Sequence, residues 1–246
     1  MKPMRAEERL IVALDFNSAR SAIDMVNRLK DRVKTFKVGS ELYTSCGPRI
    51  VEELHKRGCR VFLDLKFHDI PTTVAKSVAC AAKLGVFMIN VHASGGEEMM
   101  MKAAESARTE SARSGTPQPT LIAVTVLTSM DRNGLKKLGF DDNITTIVAR
   151  LARLAKKSGL DGVVSSPDEI AVVRKSAGED FLIVTPGVRP LWATAHDQKR
   201  IATPGEALLR GADYIVVGRP VTGAGNPEVA CERIMKEMKE GENHVD

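Results

Sequence analysis

Short apolar runs, separated by longer stretches of mixed polarity, recur from one end of the chain to the other. They fall at residues 10–16, 36–39, 61–67, 87–93, 121–127, 162–165, 181–188 and 214–218. Most are continuous rather than alternating and are rich in Val, Ile and Leu. Strands read that way when both faces are covered, as in a parallel sheet flanked by helices. The intervening stretches carry helix start and stop signals. Ser18 is placed to cap a helix reaching about Arg32, and Gly47-Pro48 opens one that Gly58 ends. Asn143 caps one that stops near Gly159, and Thr203-Pro204 starts one that ends at Gly211. The methionines at 99, 100 and 101 fall early in another helix and are expected to pack. Residues 109–119, rich in Ser, Thr, Gly and Pro, read as a surface turn.

Eight strand-then-helix units predict a closed (β/α)8 TIM barrel, α/β in class, with an open doubly wound sheet as the rival. No G-x-G-x-x-G follows the first run, which counts against a dinucleotide-binding version of that rival. Residues 128–143 and 189–202, after the fifth and seventh runs, are the longest connections. Loops after strands are where a barrel places its chemistry.

At 246 residues, 43% hydrophobic and 27% charged, the chain matches one globular domain spanning 1–246. Cys46, Cys59, Cys80 and Cys231 form no C-x-x-C pair, which suits buried or idle thiols in a reducing cytosol better than a disulfide framework. The first eight residues are polar, and no stretch is apolar enough to span a bilayer, so the expected address is cytoplasmic. The net charge of +5 admits nucleic acid or small anions as ligands. Basic residues are scattered and aromatics are only 4%, so small phosphorylated ligands fit better than nucleic acid.

The chemistry is signalled by charges inside apolar strands. The third run reads Val61-Phe62-Leu63-Asp64-Leu65-Lys66-Phe67 and continues into His68-Asp69. On a strand, Asp64 and Lys66 share a face with Phe62. Buried charges are costly unless paired, so this pair is either a structural ion pair or part of a site. Asp15 ends the first run and Lys37 lies in the second. If the three strands are neighbours, Asp15, Lys37, Asp64 and Lys66 converge with alternating sign, and Asp69 adds a further carboxylate. Opposite charges at close range keep each other ionised in a dry site.

The seventh run leads into Pro186-Gly187-Val188-Arg189 and the eighth into Gly218-Arg219-Pro220. Barrels often bind phosphate with these two loops, so Arg189, Arg219 and the Gly218 backbone are phosphate candidates. Gln198, in the long loop after the seventh strand, is placed to close over the phosphate. Thr128 and Ser129 follow the fifth strand and are either a polar contact for a heterocycle or a simple turn. His92, at the end of the fourth strand, reads as a structural histidine, and His68 as exposed or structural. No zinc spacing, G-x-S-x-G or P-loop is present.

With those residues in place, Asp64-x-Lys66-x-x-Asp69-Ile70-Pro71-x-Thr73 resembles the signature of the orotidine 5'-phosphate decarboxylase family. Asp15, Phe36-Lys37-Val38-Gly39, Val126-Leu127-Thr128-Ser129, Pro186-Gly187-Val188-Arg189, Asp197-Gln198-Lys199-Arg200 and Val217-Gly218-Arg219-Pro220 are similar to further family segments, in family order. Thr72 stands where close relatives often carry Asn. The resemblance implies decarboxylation of orotidine 5'-phosphate to UMP without cofactor or metal, with Lys66 as proton donor and Asp64 and Lys37 in its charged network. It implies that Asp69 and Thr73 reach into the partner's site of a homodimer, and that Asp15 and Lys37 hold ribose hydroxyls. Thr128 would meet the pyrimidine edge, and Pro186 would be among the substrate-binding residues. Gln198, Arg219 and the Gly218 backbone would grip the phosphate, with Arg189 near it. Two other readings remain. One is a magnesium-dependent sugar-phosphate enzyme of the same wider group, which shares Asp-x-Lys-x-x-Asp but not the Ile70-Pro71-x-Thr73 continuation. The other is a non-catalytic basic nucleic-acid binder.

Overall fold

The computed structural model describes residues 5–140, 142–193 and 202–242. Eight parallel strands close into a barrel in chain order. They are β1 Leu10–Ala13, β2 Thr35–Gly39, β3 Arg60–Phe67, β4 Met88–His92, β5 Thr120–Val124, β6 Gly162–Val164, β7 Leu182–Thr185 and β8 Tyr214–Val217. The helices are α1 Ala6–Arg9, α2 Ala19–Leu29, α3 Ser40–Cys46, α4 Arg49–His55, α5 Pro71–Lys83, α6 Glu97–Ser114, α7 Arg132–Lys137, α8 Ile144–Lys157, α9 Ile170–Ala177, α10 Pro204–Leu209, α11 Arg219–Thr222 and α12 Pro227–Glu242.

All eight expected strands are present, each with its ends trimmed or shifted by a few residues. The caps hold as well: Ser18, Asn143 and Thr203 accept hydrogen bonds from Ser21, Thr146 and Glu206 backbone N–H groups. Residues 109–114 were expected in a turn but continue α6, because Ala103, Ala104, Ala107 and Ser111 extend one buried helical face. Met99 and Met100 are buried as expected, whereas Met101 turns outward and is 52% exposed. α3, α7 and α11, short helices in the loops after β2, β5 and β8, lack strong apolar periodicity and were not legible in advance.

Alternate residues of each strand divide between two cores. Ile11, Phe62, Met88, Ile122, Val184 and Tyr214 fill the barrel interior. Leu10, Phe36, Leu63, Ile89, Leu121 and Ile215 point outward beneath the helices. Gly162 takes an inward position, where a Cβ would lie 2.3 Å from the Leu182 carbonyl oxygen, so only glycine lets β6 and β7 approach there. The amino ends of the strands are closed by polar stitching. Arg60 stacks 4.4 Å over Phe87 and donates to Thr35 Oγ1 at 3.1 Å. Arg174 donates to the Phe181 and Gly211 carbonyls at 2.7 and 2.6 Å and to Asp213 Oδ2 at 2.7 Å. Every large side chain fully buried in these two layers contributes about 1.5–3 kcal/mol, and the carboxyl ends of the strands are left for polar work.

Candidate active site

At the carboxyl ends of the strands lies a cavity of about 260 Å³. Ala13, Phe62, Val124, Val164, Val184 and Val216 are among its apolar lining. Asp15, Lys37, Asp64 and Lys66 line it from the first three strands, with Val126, Leu127 and Thr128 after β5. Pro186, Gly187, Val188 and Arg189 after β7 and Gly218, Arg219 and Pro220 after β8 complete the lining.

The four charges form the alternating chain that their sequence positions predict. Lys37 Nζ lies 3.1 Å from Asp15 Oδ1 and 3.2 Å from Asp64 Oδ2. Lys66 Nζ donates to Asp64 Oδ1 at 2.7 Å. Asp64 is only 8% exposed, while Asp15 is open to solvent. Burial acts to raise the Asp64 pKa, but the neighbouring ammonium groups of Lys37 and Lys66 outweigh it and hold the carboxyl below its ordinary value. Burial likewise works against the charge on Lys37, and Asp64 and Asp15 reverse that, holding its pKa above the usual lysine value. Asp64 is therefore ionised and Lys37 protonated at neutral pH.

β3 delivers these groups by a route the regular-strand reading did not contain. Leu63 pairs with Ile89 and Phe67 with Val91, so three residues of β3 oppose the single residue Asn90 of β4. Two extra residues leave the facing of Asp64 and Lys66 unchanged, as expected, but they form a bulge. Lys66 sits at φ 52°, the one non-glycine residue with positive φ among the described residues. A left-handed lysine costs on the order of 1 kcal/mol. Its backbone N–H donates to Asn90 Oδ1 at 2.8 Å, and Asn90 Nδ2 donates to Asp64 Oδ1 at 2.6 Å. Asn90 is fully buried. Its signal was present in the sequence: a lone amide inside Met88-Ile89-Asn90-Val91, at the inward parity of Met88.

On the opposite side Gly187, at φ 78°, lets the chain turn immediately after β7. Arg189 is buried in the cavity wall, and Arg219 is exposed where β8 gives way to α11. Gly218 packs against the first strand, where a Cβ would stand 3.4 Å from Asp15 Oδ2. One side of the cavity is thus an ion-pair chain, and the other carries the guanidinium groups of Arg189 and Arg219.

Asp69 and Thr73 lie elsewhere. Both are exposed, Asp69 before α5 and Thr73 in its first turn, and neither lines the cavity. Asp69 Oδ1 accepts from the Ile70 N–H at 2.6 Å. Gln198 lies outside the described residues. His92 ends β4, its ring centroid 5.3 Å from that of exposed His68. Burial, then His68 and Lys66, push its pKa below the usual histidine value, which keeps the ring neutral. Among the described residues no group of three or more His, Cys, Asp or Glu side chains is arranged to hold a metal ion, and no helix is long and apolar enough to cross a membrane. All four cysteines are free thiols, with Cys59 and Cys231 buried and Cys80 exposed rather than packed.

Comparison with known proteins identifies the family. The family described as Orotidine 5'-phosphate decarboxylase / HUMPS family matches residues 8–234. A protein of Syntrophotalea carbinolica named orotidine 5'-phosphate decarboxylase is 50% identical over 235 residues, covering 96% of either chain. Its namesake from Saccharophagus degradans is 51% identical over 232 residues, covering 94% of this chain and 95% of its own. The crystal structure of orotidine 5'-phosphate decarboxylase from Lactobacillus acidophilus superposes with a TM-score of 0.81 at 38% identity, covering 94% of this chain and 99% of that one. By the extent of the family match, the identity of these relatives and the shared barrel, the chain belongs to the orotidine 5'-phosphate decarboxylase / HUMPS family.

Proposed function

We propose that this protein is a carboxy-lyase that removes carbon dioxide from orotidine 5'-phosphate to give UMP, closing pyrimidine nucleotide synthesis. The bond between ring carbon 6 and the carboxylate breaks, carbon dioxide leaves, and the electron pair stays on carbon 6. That pair lies in the ring plane, where the π-system cannot delocalise it. Lys66 Nζ stabilises it electrostatically and then donates a proton to it, and the amine recovers its proton from solvent. Asp64 plays two parts. It aims the Lys66 ammonium, and its ionised carboxylate repels the substrate carboxylate until carbon dioxide departs.

The remaining roles follow the lining of the cavity. Asp15 and Lys37 take the ribose hydroxyls, and Thr128 and Pro186 meet the base. Arg219, the Gly218 backbone, Arg189 and Gln198 take the phosphate, whose binding energy offsets the desolvation of the charged centre. The exposed positions of Asp69 and Thr73 suit side chains that complete the site of a second copy, so the working unit is a homodimer with shared sites. The free thiols and the biosynthetic reaction suit the cytosol.

The observation that carries the reading is the Asp15–Lys37–Asp64–Lys66 chain of contacts between 2.7 and 3.2 Å. It also favours the nucleotide reaction over the magnesium-dependent branch of the group. The space between the two carboxylates is filled by the Lys37 ammonium, so a divalent cation there would face a fixed positive charge. The test is the fall in ultraviolet absorbance of orotidine 5'-phosphate with purified protein in excess EDTA. Turnover undiminished by EDTA is expected. Activity that disappears with EDTA and returns with magnesium would favour the other branch.

A further inference from the structure

We propose that Asn90 is a positioning residue of this site: its side-chain amide clamps the Lys66 backbone in the left-handed bulge and aims the Asp64 carboxylate. The inference rests on the decarboxylase reading and adds a residue that does not line the cavity. Both functional atoms of the amide are committed, Oδ1 to the Lys66 N–H at 2.8 Å and Nδ2 to Asp64 Oδ1 at 2.6 Å. Asp64 Oδ1 also accepts from Lys66 Nζ at 2.7 Å, so one carboxylate oxygen is held by both the ammonium and the amide. The three contacts close a ring: β4 amide, Lys66 backbone, Lys66 side chain, Asp64, and back to the amide.

The bulge explains the need. Three residues of β3 stand opposite Asn90 alone, so the ordinary ladder offers the Lys66 N–H no partner there. A buried amide replaces that partner and holds φ at 52°, a conformation lysine does not favour by itself. Without the amide, Lys66 is free to relax towards an extended backbone, which redirects Nζ. A displacement of about 1 Å from productive geometry lowers a rate about a hundredfold. Asn90 does not itself line the cavity and touches no group assigned to the phosphate, so the phosphate contacts stay intact.

Two variants test this. Asn90→Ala is expected to lower kcat about a hundredfold. KM and UMP affinity should stay within about threefold of the parent, with a folded circular dichroism spectrum. Asn90→Asp keeps the acceptor for the Lys66 N–H but donates to Asp64 only when the introduced carboxyl is protonated. Around it stand Asp64 and Lys66 on β3, Lys37 on β2, Asp15 after β1, and His92 and His68 beyond. The carboxyl pair shares a proton with a raised pKa, so kcat of N90D should fall as pH rises through that value, relative to the parent. A purely structural role predicts no such excess pH dependence. If N90A does not fold, the near-isosteric N90D decides by its profile. A folded N90A with parental kcat, or an N90D profile parallel to the parent's, would overturn the proposal. Failure of the underlying reading looks different, as an inert parent or an active Lys66→Ala protein.

Discussion

A buried carboxylate persists where cations answer it, and at Asp64 two do. Lys37 and Lys66 approach different oxygens, and Asn90 adds a neutral donor. Because the folded state holds the Asp64 pKa below its unfolded value, the unfolded chain binds more protons there at acid pH. The stabilisation is therefore complete above the unfolded pKa of about 4 and is lost as pH falls through the lower folded value. Asp64→Asn should lower stability at pH 7 by about 2 kcal/mol, with the gap to the parent closing below about pH 4. Urea midpoints across pH 3 to 7 measure it, and a gap independent of pH would show that the charge is not what stabilises. The four charged residues were legible in the sequence because each breaks an apolar strand at the inward parity. Asn90 obeys the same rule, but a neutral amide is cheaper to bury than a charge and so marks a site less sharply. The left-handed backbone of Lys66 left no such mark, since nothing local in Leu65-Lys66-Phe67 favours it.

Among elements, the strands were the most readable part of the molecule. Burial on both faces writes a continuous apolar run, and helix caps are local chemistry. Boundaries were less so: the sequence at 109–114 looks like a turn, and only the buried face shared with Ala103 and Ala107 makes it helix. The short helices after β2, β5 and β8 are set by their neighbours rather than by their own pattern. Close approach of strands is another property that a single residue discloses only in the fold. A methyl group at position 162 would stand 2.3 Å from the Leu182 carbonyl oxygen and 2.6 Å from its Cβ. The obstacle is backbone, so relief requires β6 and β7 to part where their pairing begins. Gly162→Ala is expected to destabilise the protein by about 2–3 kcal/mol. A thermal scan beside the parent provides the measurement, and an unchanged midpoint would mean that the strands adjust without loss.

At the scale of the whole molecule, the barrel gathers charges from three consecutive strands at one wall and guanidinium groups from the last two loops at another. Sequence order alone places those walls on one cavity once the barrel is closed, because β8 pairs with β1. The single chain leaves exposed the segment with Asp69 and Thr73, which the proposed homodimer would place in a shared site. Mixing Asp69→Ala with Lys66→Ala under subunit exchange should restore activity to about a quarter of the parent value. Half the dimers are then mixed, and each carries one intact site of two. No recovery despite demonstrated exchange would assign Asp69 to its own chain's chemistry or to none. The account as a whole turns on Lys66 as the group that meets the nascent carbanion. Its most direct test is kcat of Lys66→Ala on orotidine 5'-phosphate, measured with UMP affinity in the same preparation. The expected result is loss of turnover with UMP still bound, and a kcat close to that of the parent would contradict it.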